Sequence, residues 1–184
     1  VAAEAFARYG LGENPNVVTS LDFEKMAASG QILRPSDNKP AKRVAILACD
    51  GPEDTENLPY TGNAASMIAI KQALYVRELD AEAEAFVVYE DMQTPGRNEL
   101  VYRRAQEEPN VFFVRGNVSA VASSGGQLQL TVESSVLHRP IQLEADLVVL
   151  QVGMVPVTAD EEGASALHLH YLQGQKVPTW RAGY

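Results

Sequence analysis

The sequence predicts an α/β domain in which a central parallel sheet is joined to a three-stranded antiparallel β-meander. Residues 44–48 (VAILA) and 85–89 (AFVVY) are short apolar runs, typical of strands that are buried on both faces. A helical pattern lies between them, which is the arrangement of a parallel β–α–β unit with a right-handed crossover. Further along, apolar and polar residues alternate on both sides of the turn sequence SSGG at 123–126, which indicates a hairpin of half-exposed strands.

Residues 1–41 show no strong strand pattern and are predicted to be a linker segment with one short helix. The helix is expected at residues 21–29, where Ser20 can cap the first turn and Gly30 ends the last turn. Turn-forming residues predict a loop at 34–40. The folded domain is therefore expected to follow this segment.

Two helices alternate with the predicted parallel strands. The first is expected at residues 63–79, with an apolar stripe toward the sheet and polar side chains facing away. The stripe comprises Met67, Ile70, Ala73 and Leu74, and the outward residues include Lys71, Gln72 and Glu78. Asn98 is expected to cap the second helix, which continues to Glu107 and precedes a strand at residues 111–114.

The alternating segments predict three antiparallel strands that lead back to the parallel sheet. Their apolar positions are Val118, Ala120, Ala122, then Leu128, Leu130, Val132, and then Ile141, Leu143, Ala145. A continuous apolar run at residues 147–150 predicts a last buried strand. This order is that of a Rossmann-like three-layer domain, as in the NAD(P)-binding domain of thioredoxin-reductase-like flavoproteins. The nucleotide-binding-like domain is expected to span residues 42–157, with a tail at 158–184 that leads to a flavin domain.

Composition and charge disfavour several classes of function. The 15 basic and 24 acidic side chains give a net charge of −9, which disfavours binding to nucleic acid. No apolar run approaches the roughly 20 residues that a transmembrane helix needs, so no direct membrane insertion is expected. The single cysteine, Cys49, cannot form an internal disulfide and is expected to be a buried structural thiol in a cytoplasmic protein.

Four pairs of segments, taken together, are more specific for one protein family than any single pair is. They comprise 17–26 (VVTSLDFEKM) with 33–37 (LRPSD), 58–60 (LPY) with 67–78 (MIAIKQALYVRE), 91–97 (DMQTPGR) with 102–108 (YRRAQEE), and 144–150 (EADLVVL) with 153–156 (GMVP). In this order they resemble the A subunit of heterodisulfide reductase and its relatives in quinone-interacting membrane-bound oxidoreductase complexes. The resemblance implies that the chain is a fragment covering the second, nucleotide-binding-like domain of such a subunit.

The resemblance implies a flavin-dependent electron-transfer subunit in anaerobic or sulfur energy metabolism. The whole subunit is expected to be an oxidoreductase that holds FAD and passes electrons to iron–sulfur partner subunits, in the cytoplasm or peripheral to a membrane complex. Gly153, Met154 and Pro156 lie in the segment that leads back to the flavin domain, and they are expected to contact FAD in the full-length subunit only. The fragment itself is expected to hold no cofactor and to serve for positioning and docking. No catalytic residue is assigned, because no set of nucleophile, base and acid is recognisable.

The resemblance also implies an iron–sulfur site whose ligands this sequence has lost. Family members carry cysteines at four positions, of which Cys49 alone remains. Thr61 follows Tyr60 where a cysteine is expected, and Ala65 and Ser66 replace an adjacent cysteine pair. A four-iron cluster requires about four thiolates, and hydroxyl groups are poor replacements because they stay protonated near neutral pH. We therefore expect no iron–sulfur cluster and no other metal site in this domain.

Two alternative functions remain open at the level of the sequence. An NAD(P)H-binding reductase domain would need a G-x-G-x-x-G loop between the first strand and its helix, and residues 49–62 lack this motif. This connection instead contains Asp50, Glu53, Asp54 and Glu56, whose charges would repel phosphate. An interaction module with decayed nucleotide and cluster sites would account for both the acidic connection and the missing cysteines.

Overall fold

A computed structural model describes residues 9–48 and 63–151 of the chain. The elements in order are β1 (Val17–Thr19), α1 (Ser20–Ala28), β2 (Arg43–Leu47), α2 (Asn63–Leu79), β3 (Glu84–Tyr89), α3 (Asn98–Glu107), β4 (Val111–Ser124), β5 (Gln127–Ser134), β6 (Arg139–Ala145) and β7 (Leu147–Leu150). The strands form one sheet in the order β1-β7-β2-β3-β4-β5-β6. In this spatial order, the neighbouring strands from β1 through β7, β2 and β3 to β4 pair in parallel. The strands β4, β5 and β6 pair antiparallel. The predicted Rossmann-like fold with its β-meander is thus confirmed.

The parallel strands separate two apolar cores, because alternate residues of a strand point to opposite faces of the sheet. The core beneath the helices includes Val44, Ile46, Phe23, Ala69 and Ala73. The core beneath the meander includes Ala45, Leu47, Leu128, Leu130 and Val132. Strands β2 and β7 are therefore covered on both faces, which explains why their sequences are continuously apolar, whereas Phe112 of β4 is 42% exposed.

Strand β1 lies within residues 1–41, where the sequence shows no strong strand pattern. It pairs in parallel with β7, and both Val17 and Val18 are buried. Helix α1 follows without a connecting loop and buries Phe23 completely in the core beneath the helices. This part of the expected linker is therefore an integral edge of the sheet and of its helical layer.

Both predicted helix caps differ from the observed ones. Thr19 caps α1, since its Oγ1 accepts a hydrogen bond from the backbone N–H of Asp22 at 3.2 Å, while Ser20 is already helical and buried. Arg97 precedes α3 and makes no side-chain capping bond, and Asn98 is the first helical residue. In both cases the predicted helix begins within one residue of the observed helix. The predicted cap, however, is the residue that follows the observed cap position.

Strand β4 is continuous over 14 residues, whereas the sequence pattern predicted two separate strands. It pairs with β3 as far as Arg115 and with β5 from Gly116 onward. A Cβ atom at Gly116 would lie 2.4 Å from the carbonyl oxygen of Glu133, so the backbones of β4 and β5 approach too closely there for any side chain. Glycine thus lets one strand leave the parallel sheet and enter the meander without a break.

Asp146 fixes the junction between the meander and the parallel sheet. This residue lies between β6 and β7 and is only 8% exposed. Its Oδ2 accepts hydrogen bonds from the backbone N–H groups of Lys42 at 2.9 Å and Arg43 at 3.0 Å, and Arg34 Nη1 lies 3.7 Å from Oδ1. Because β2 begins at Arg43, the carboxylate holds the start of β2 against the start of β7.

Candidate functional site

The candidate site lies at the carboxyl end of the parallel strands, where β2 and β7 end side by side. From β2 the sheet continues through β3 and β4 on one side, while β7 and β1 lie on the other side. Leu47 of β2 is paired with Leu150 of β7 and also with Val88 of β3. In open α/β sheets, ligands bind outside the carboxyl ends of the strands at such a change of direction.

A buried amide pair occupies this end of β7. Gln151 follows the strand and is 2% exposed, and its Nε2 donates a hydrogen bond to Oε1 of Gln72 at 2.8 Å. The Nε2 of Gln72 donates to the carbonyl oxygen of Ser20 at 3.0 Å and to Glu24 Oε1 at 2.9 Å. Glu24 also pairs with Lys71 at 2.9 Å. One side chain of α2 therefore connects the end of β7 to the start of α1.

The prediction that Gln72 faces away from the core is wrong, since the residue is completely buried. Helical periodicity assigns polar residues to the outer face of a helix. It cannot indicate that another helix, here α1, covers this part of α2. A buried amide is tolerated when its hydrogen-bonding groups are satisfied, as they are here. The partners come from two distant segments of the sequence, so no local pattern could have indicated them.

Ala65 and Ser66 occupy the first turn of α2, and both are buried. The hydroxyl oxygen of Ser66 accepts a hydrogen bond from the backbone N–H of Gln93 at 3.1 Å. This contact joins the start of α2 to the connection between β3 and α3. Ala65 offers no ligating atom and Ser66 only a neutral hydroxyl, so these two residues do not suit an iron–sulfur cluster.

An aromatic cluster lies beside α3 and the end of β3. The Tyr102 ring stands edge-on to Phe113 at 5.1 Å, and Tyr89 lies 6.4 Å from Phe113 on centroid distances. Burial, followed by the neighbouring Tyr89, raises the pKa of Tyr102 to about 12. The phenol of Tyr102 therefore stays protonated near neutral pH, and its ring contributes packing to the cluster.

The acidic residues that follow β3 are engaged with Arg115. The guanidinium donates from Nε to the backbone carbonyl of Glu90 at 3.0 Å and lies 3.4 Å from Asp91 Oδ1 through Nη2. A carboxylate at about this place binds the ribose in dinucleotide-binding domains. Here Asp91 is an exposed partner of an arginine from β4, which does not favour that role.

Several predicted residues lie outside the described ranges. These are Cys49, Tyr60 and Thr61 of the expected cluster site, and Gly153, Met154 and Pro156 of the expected flavin contact. Within the described ranges, the structure brings together Ser20, Gln72 and Gln151. The expected FAD contacts stay a prediction. Among residues 9–48 and 63–151, no three His, Cys, Asp or Glu side chains are grouped so as to hold a metal ion.

No protein-family model matches the sequence. The chain is 35% identical over 157 residues to an iron–sulfur A subunit of the CoB–CoM heterodisulfide reductase of Methanopyrus kandleri, a match covering 80% of this chain and 24% of that relative. It is 34% identical over 168 residues to the A subunit of the H2:CoB–CoM heterodisulfide,ferredoxin reductase of Methanothermobacter marburgensis, covering 86% of this chain and 25% of the relative. Over these residues the chain is homologous to heterodisulfide reductase A subunits, which is consistent with a fragment of that family. It spans about a quarter of the length of the curated relatives that it matches.

Solved structures of a monooxygenase and of a flavoprotein disulfide reductase share the fold. L-lysine 6-monooxygenase of Pseudomonas syringae matches with a TM-score of 0.55 at 13% identity, over 91% of this chain and 46% of the enzyme. The Cu(II) complex of a cysteine-to-serine mutant of the flavoprotein disulfide reductase RclA of Escherichia coli matches with a TM-score of 0.51 at 15% identity, over 82% of this chain and 27% of the reductase. At such low identity, these matches support the Rossmann-like architecture and carry no argument about activity.

None of the helices in the described ranges combines the length and the apolar character that crossing a bilayer requires.

Proposed function

We propose that this domain is the second, nucleotide-binding-like domain of an FAD-containing electron-transfer subunit, in which it positions the flavin domain and serves for docking. The observation that carries this proposal is a homologous fold whose connection between β2 and α2 has no phosphate-binding glycine motif. The relatives are named as iron–sulfur and ferredoxin reductase subunits, which supports an oxidoreductase role in anaerobic energy metabolism for the whole subunit. Turnover would then belong to the flavin domain and to partner subunits.

The proposed FAD contacts are Gly153, Met154 and Pro156, in the full-length subunit only. They follow β7, whose carboxyl end lies beside that of β2, where ligands of this fold class bind. A glycine in this segment allows close approach of the backbone to a cofactor. FAD, when bound to the whole subunit, would supply hydride and single-electron chemistry. This chain's own contribution would be to hold the contacting segment in place.

The outer face of α3 supports a docking role. Leu100 is 66% exposed, Val101 is 36% exposed, and Arg97 and Arg104 lie on the same side of the helix by their spacing. An exposed apolar pair beside arginines is typical of a protein interface, and it contrasts with the net negative charge of the chain. We assign this face to a protein partner within the electron-transfer complex. An interaction module is therefore the second candidate function, and it differs from the first by the absence of FAD from the whole subunit.

Anaerobic reconstitution with iron and sulfide should leave this chain colourless and without stoichiometric iron. Cys49 is the single thiolate, and a four-iron cluster needs about four. The matched variant carries Thr61→Cys, Ala65→Cys and Ser66→Cys, which restores the family's cysteine positions. Iron and acid-labile sulfide would be measured in both proteins, and the variant is expected to bind about four iron atoms. Stoichiometric iron and sulfide in the unaltered chain would contradict the assignment.

Neither NADH nor NADPH should raise the melting temperature of this chain, and FAD should stabilise only a longer subunit that contains it. A ligand that binds the folded state at about 100 times its Kd adds roughly 2.7 kcal/mol, a clearly measurable shift. The measurement is a thermal titration of the chain and of the longer subunit with each nucleotide. Stabilisation of the chain by NADH would favour the reductase alternative. A longer subunit that FAD does not stabilise would favour the interaction module.

A further inference from the structure

We propose that the outer face of α3 docks onto an acidic surface of a partner protein, with Leu100 as the central apolar contact. This face consists of Arg97, Leu100, Val101, Arg103 and Arg104, all of them exposed, and is called the Leu100 face. That the partner belongs to an electron-transfer complex rests on the proposed function. The chemistry of the partner's surface follows from the residues of α3 and from their surroundings.

The contacts of α3 with the rest of the domain determine which of its sides faces outward. Ala105 is completely buried, and the ring of Tyr102 stands edge-on to Phe113 of β4 at 5.1 Å. Successive residues of an α-helix are about 100° apart around its axis, so Leu100 lies on the side opposite to Tyr102 and Ala105. The 66% exposure of Leu100 agrees with this position. Its side chain therefore projects away from the domain.

Three arginines surround Leu100 on this face. Arg97 precedes it by three residues, and Arg103 and Arg104 follow it by three and four, which are the spacings of neighbours on a helix surface. The backbone of Arg97 is helical, with φ −66° and ψ −17°, so the spacing applies to this residue as well. Val101 extends the apolar surface between Arg97 and Arg104 by the same spacings. The face therefore has an apolar centre and a cationic rim.

The arginines of this face are less neutralised than the cations elsewhere on the chain. In the part of the chain that the structure describes, most lysines and arginines form ion pairs with carboxylates. Among the same described residues Arg97 and Arg103 form none, although Glu107 follows Arg103 by four residues. The pair of Arg104 with Glu78, at 3.4 Å, is exposed on both sides, and such pairs contribute little. These guanidinium groups can therefore bind carboxylates of another molecule.

The outer side of α1 shows how a solvated helix face differs from this one. Leu21 is exposed to the same extent as Leu100, at 66%. The cation beside it, Lys25, is neutralised by Asp22, whose carboxylate oxygen lies 2.9 Å from the lysine Nζ. An exposed leucine therefore does not by itself distinguish α3. The combination of that leucine with unpaired arginines does, and α1 provides a matched control.

The charge of the Leu100 face selects among the possible occupants. Nucleic acid is disfavoured because the chain carries a net charge of −9. A second copy related by a two-fold axis through this face would bring the arginines of one α3 against those of the other. A protein surface with aspartate and glutamate side chains around an apolar depression instead binds both the guanidinium groups and the leucine. One helix face covers only part of the roughly 800 Å² that a standard interface buries on each partner, so α3 anchors a larger contact.

The first test locates the partner surface by photo-crosslinking in the longer subunit that contains this domain, assembled with its partner subunits. A benzophenone amino acid replaces Leu100 in one preparation and Leu21 in the control, and the linked peptides are identified by mass spectrometry. The probe at position 100 is expected to link to a segment of a partner subunit that is rich in Asp and Glu. A link to a basic or uncharged segment, a link to a second copy of the subunit, or no link beyond that of the control would overturn the inference.

The second test measures the affinity of the longer subunit for the partner subunit that the probe identifies. The double variant Arg97→Glu/Arg103→Glu is expected to raise the Kd about 100-fold at low salt, and Leu100→Ala about 10-fold. The control variants Lys25→Glu and Leu21→Ala should leave the Kd unchanged. Replacing the linked acidic residues of the partner with lysine should restore most of the affinity of the double variant, which a structural defect in α3 would not allow.

The outcomes separate this inference from the proposed function. A longer subunit that assembles with no partner subunit contradicts the docking role, and the inference fails with it. If assembly is normal, and both Arg97→Glu/Arg103→Glu and Leu100→Ala bind the partner with unchanged Kd, acidic docking through α3 is refuted while the proposed function stands.

Discussion

Gly116→Ala is expected to destabilise the chain by about 3 kcal/mol, at the upper end of the usual cost of overpacking. The new Cβ atom would meet the carbonyl oxygen of Glu133 at 2.4 Å and the Cα atom of Ser134 at 3.0 Å. These are backbone atoms of β5, so they cannot yield as the end of a flexible side chain could. Relief would require separation of β4 from β5 where β4 changes partner. Urea unfolding followed by circular dichroism would measure the loss.

The control for this prediction is Gly126→Ala, in the turn between β4 and β5. Gly126 has a φ of +88°, and a Cβ there would meet nothing within 4 Å. Alanine at this position costs only the strain of the left-handed backbone, about 1 kcal/mol. If Gly116→Ala cost no more than Gly126→Ala, the close approach of Glu133 would not explain the glycine at 116, whose φ lies outside the left-handed region.

Strands β2 and β7 could be predicted from the sequence because both of their faces are buried, and β3 because it contributes residues to both cores. β2, β3 and β7 therefore appear as short apolar runs, whose observed bounds differ from the predicted ones by at most one residue at either end. β5 and β6 were equally accessible, since one face of each strand is exposed and alternation follows. In both cases the residues of the strand itself indicate which of its faces are buried, so the prediction needs no knowledge of distant contacts. In β4 a register shift between Val118 and Ala120 breaks the alternation, so the predicted apolar positions Ala120 and Ala122 are exposed.

β1 escaped prediction because its information is not local. Two buried valines followed by Thr19 are too few to define a period, and their pairing depends on β7, which lies near the other end of the described chain. The continuity of β4 was missed for a related reason. In the sequence, Gly116 resembles a break between two strands. The structure gives another reason for the glycine, which is the close approach of the backbone of Glu133.

The return of the last strand to the parallel sheet could be predicted from the sequence, but the contacts at the candidate site could not. The pairing of β7 with β2 is parallel, as that prediction requires. The buried amides could not be predicted, because Gln72 resembles an outward helical residue and Gln151 a residue after a strand. Their burial depends on α1 and on a hydrogen bond between side chains that are distant in sequence. Polar residues buried by tertiary contacts lie beyond what periodicity can detect.

Phe23→Ala is expected to lower the free energy of unfolding by about 3–5 kcal/mol, the usual cost of truncating a buried phenylalanine. Phe23 is completely buried between α1 and the parallel sheet, within the core that also contains Ile46 and Ala73. Leu21→Ala is the matched control, since Leu21 lies on the same helix and is 66% exposed, and it should change stability by no more than about 0.5 kcal/mol. Urea unfolding of both variants would distinguish two views of this segment. A small effect of Phe23→Ala would mean that α1 is a loosely attached linker, whereas a large one makes it a structural part of the domain. In the second case, the burial of Phe23 holds the β1–α1 corner, which receives the hydrogen bond from Gln72, within the domain.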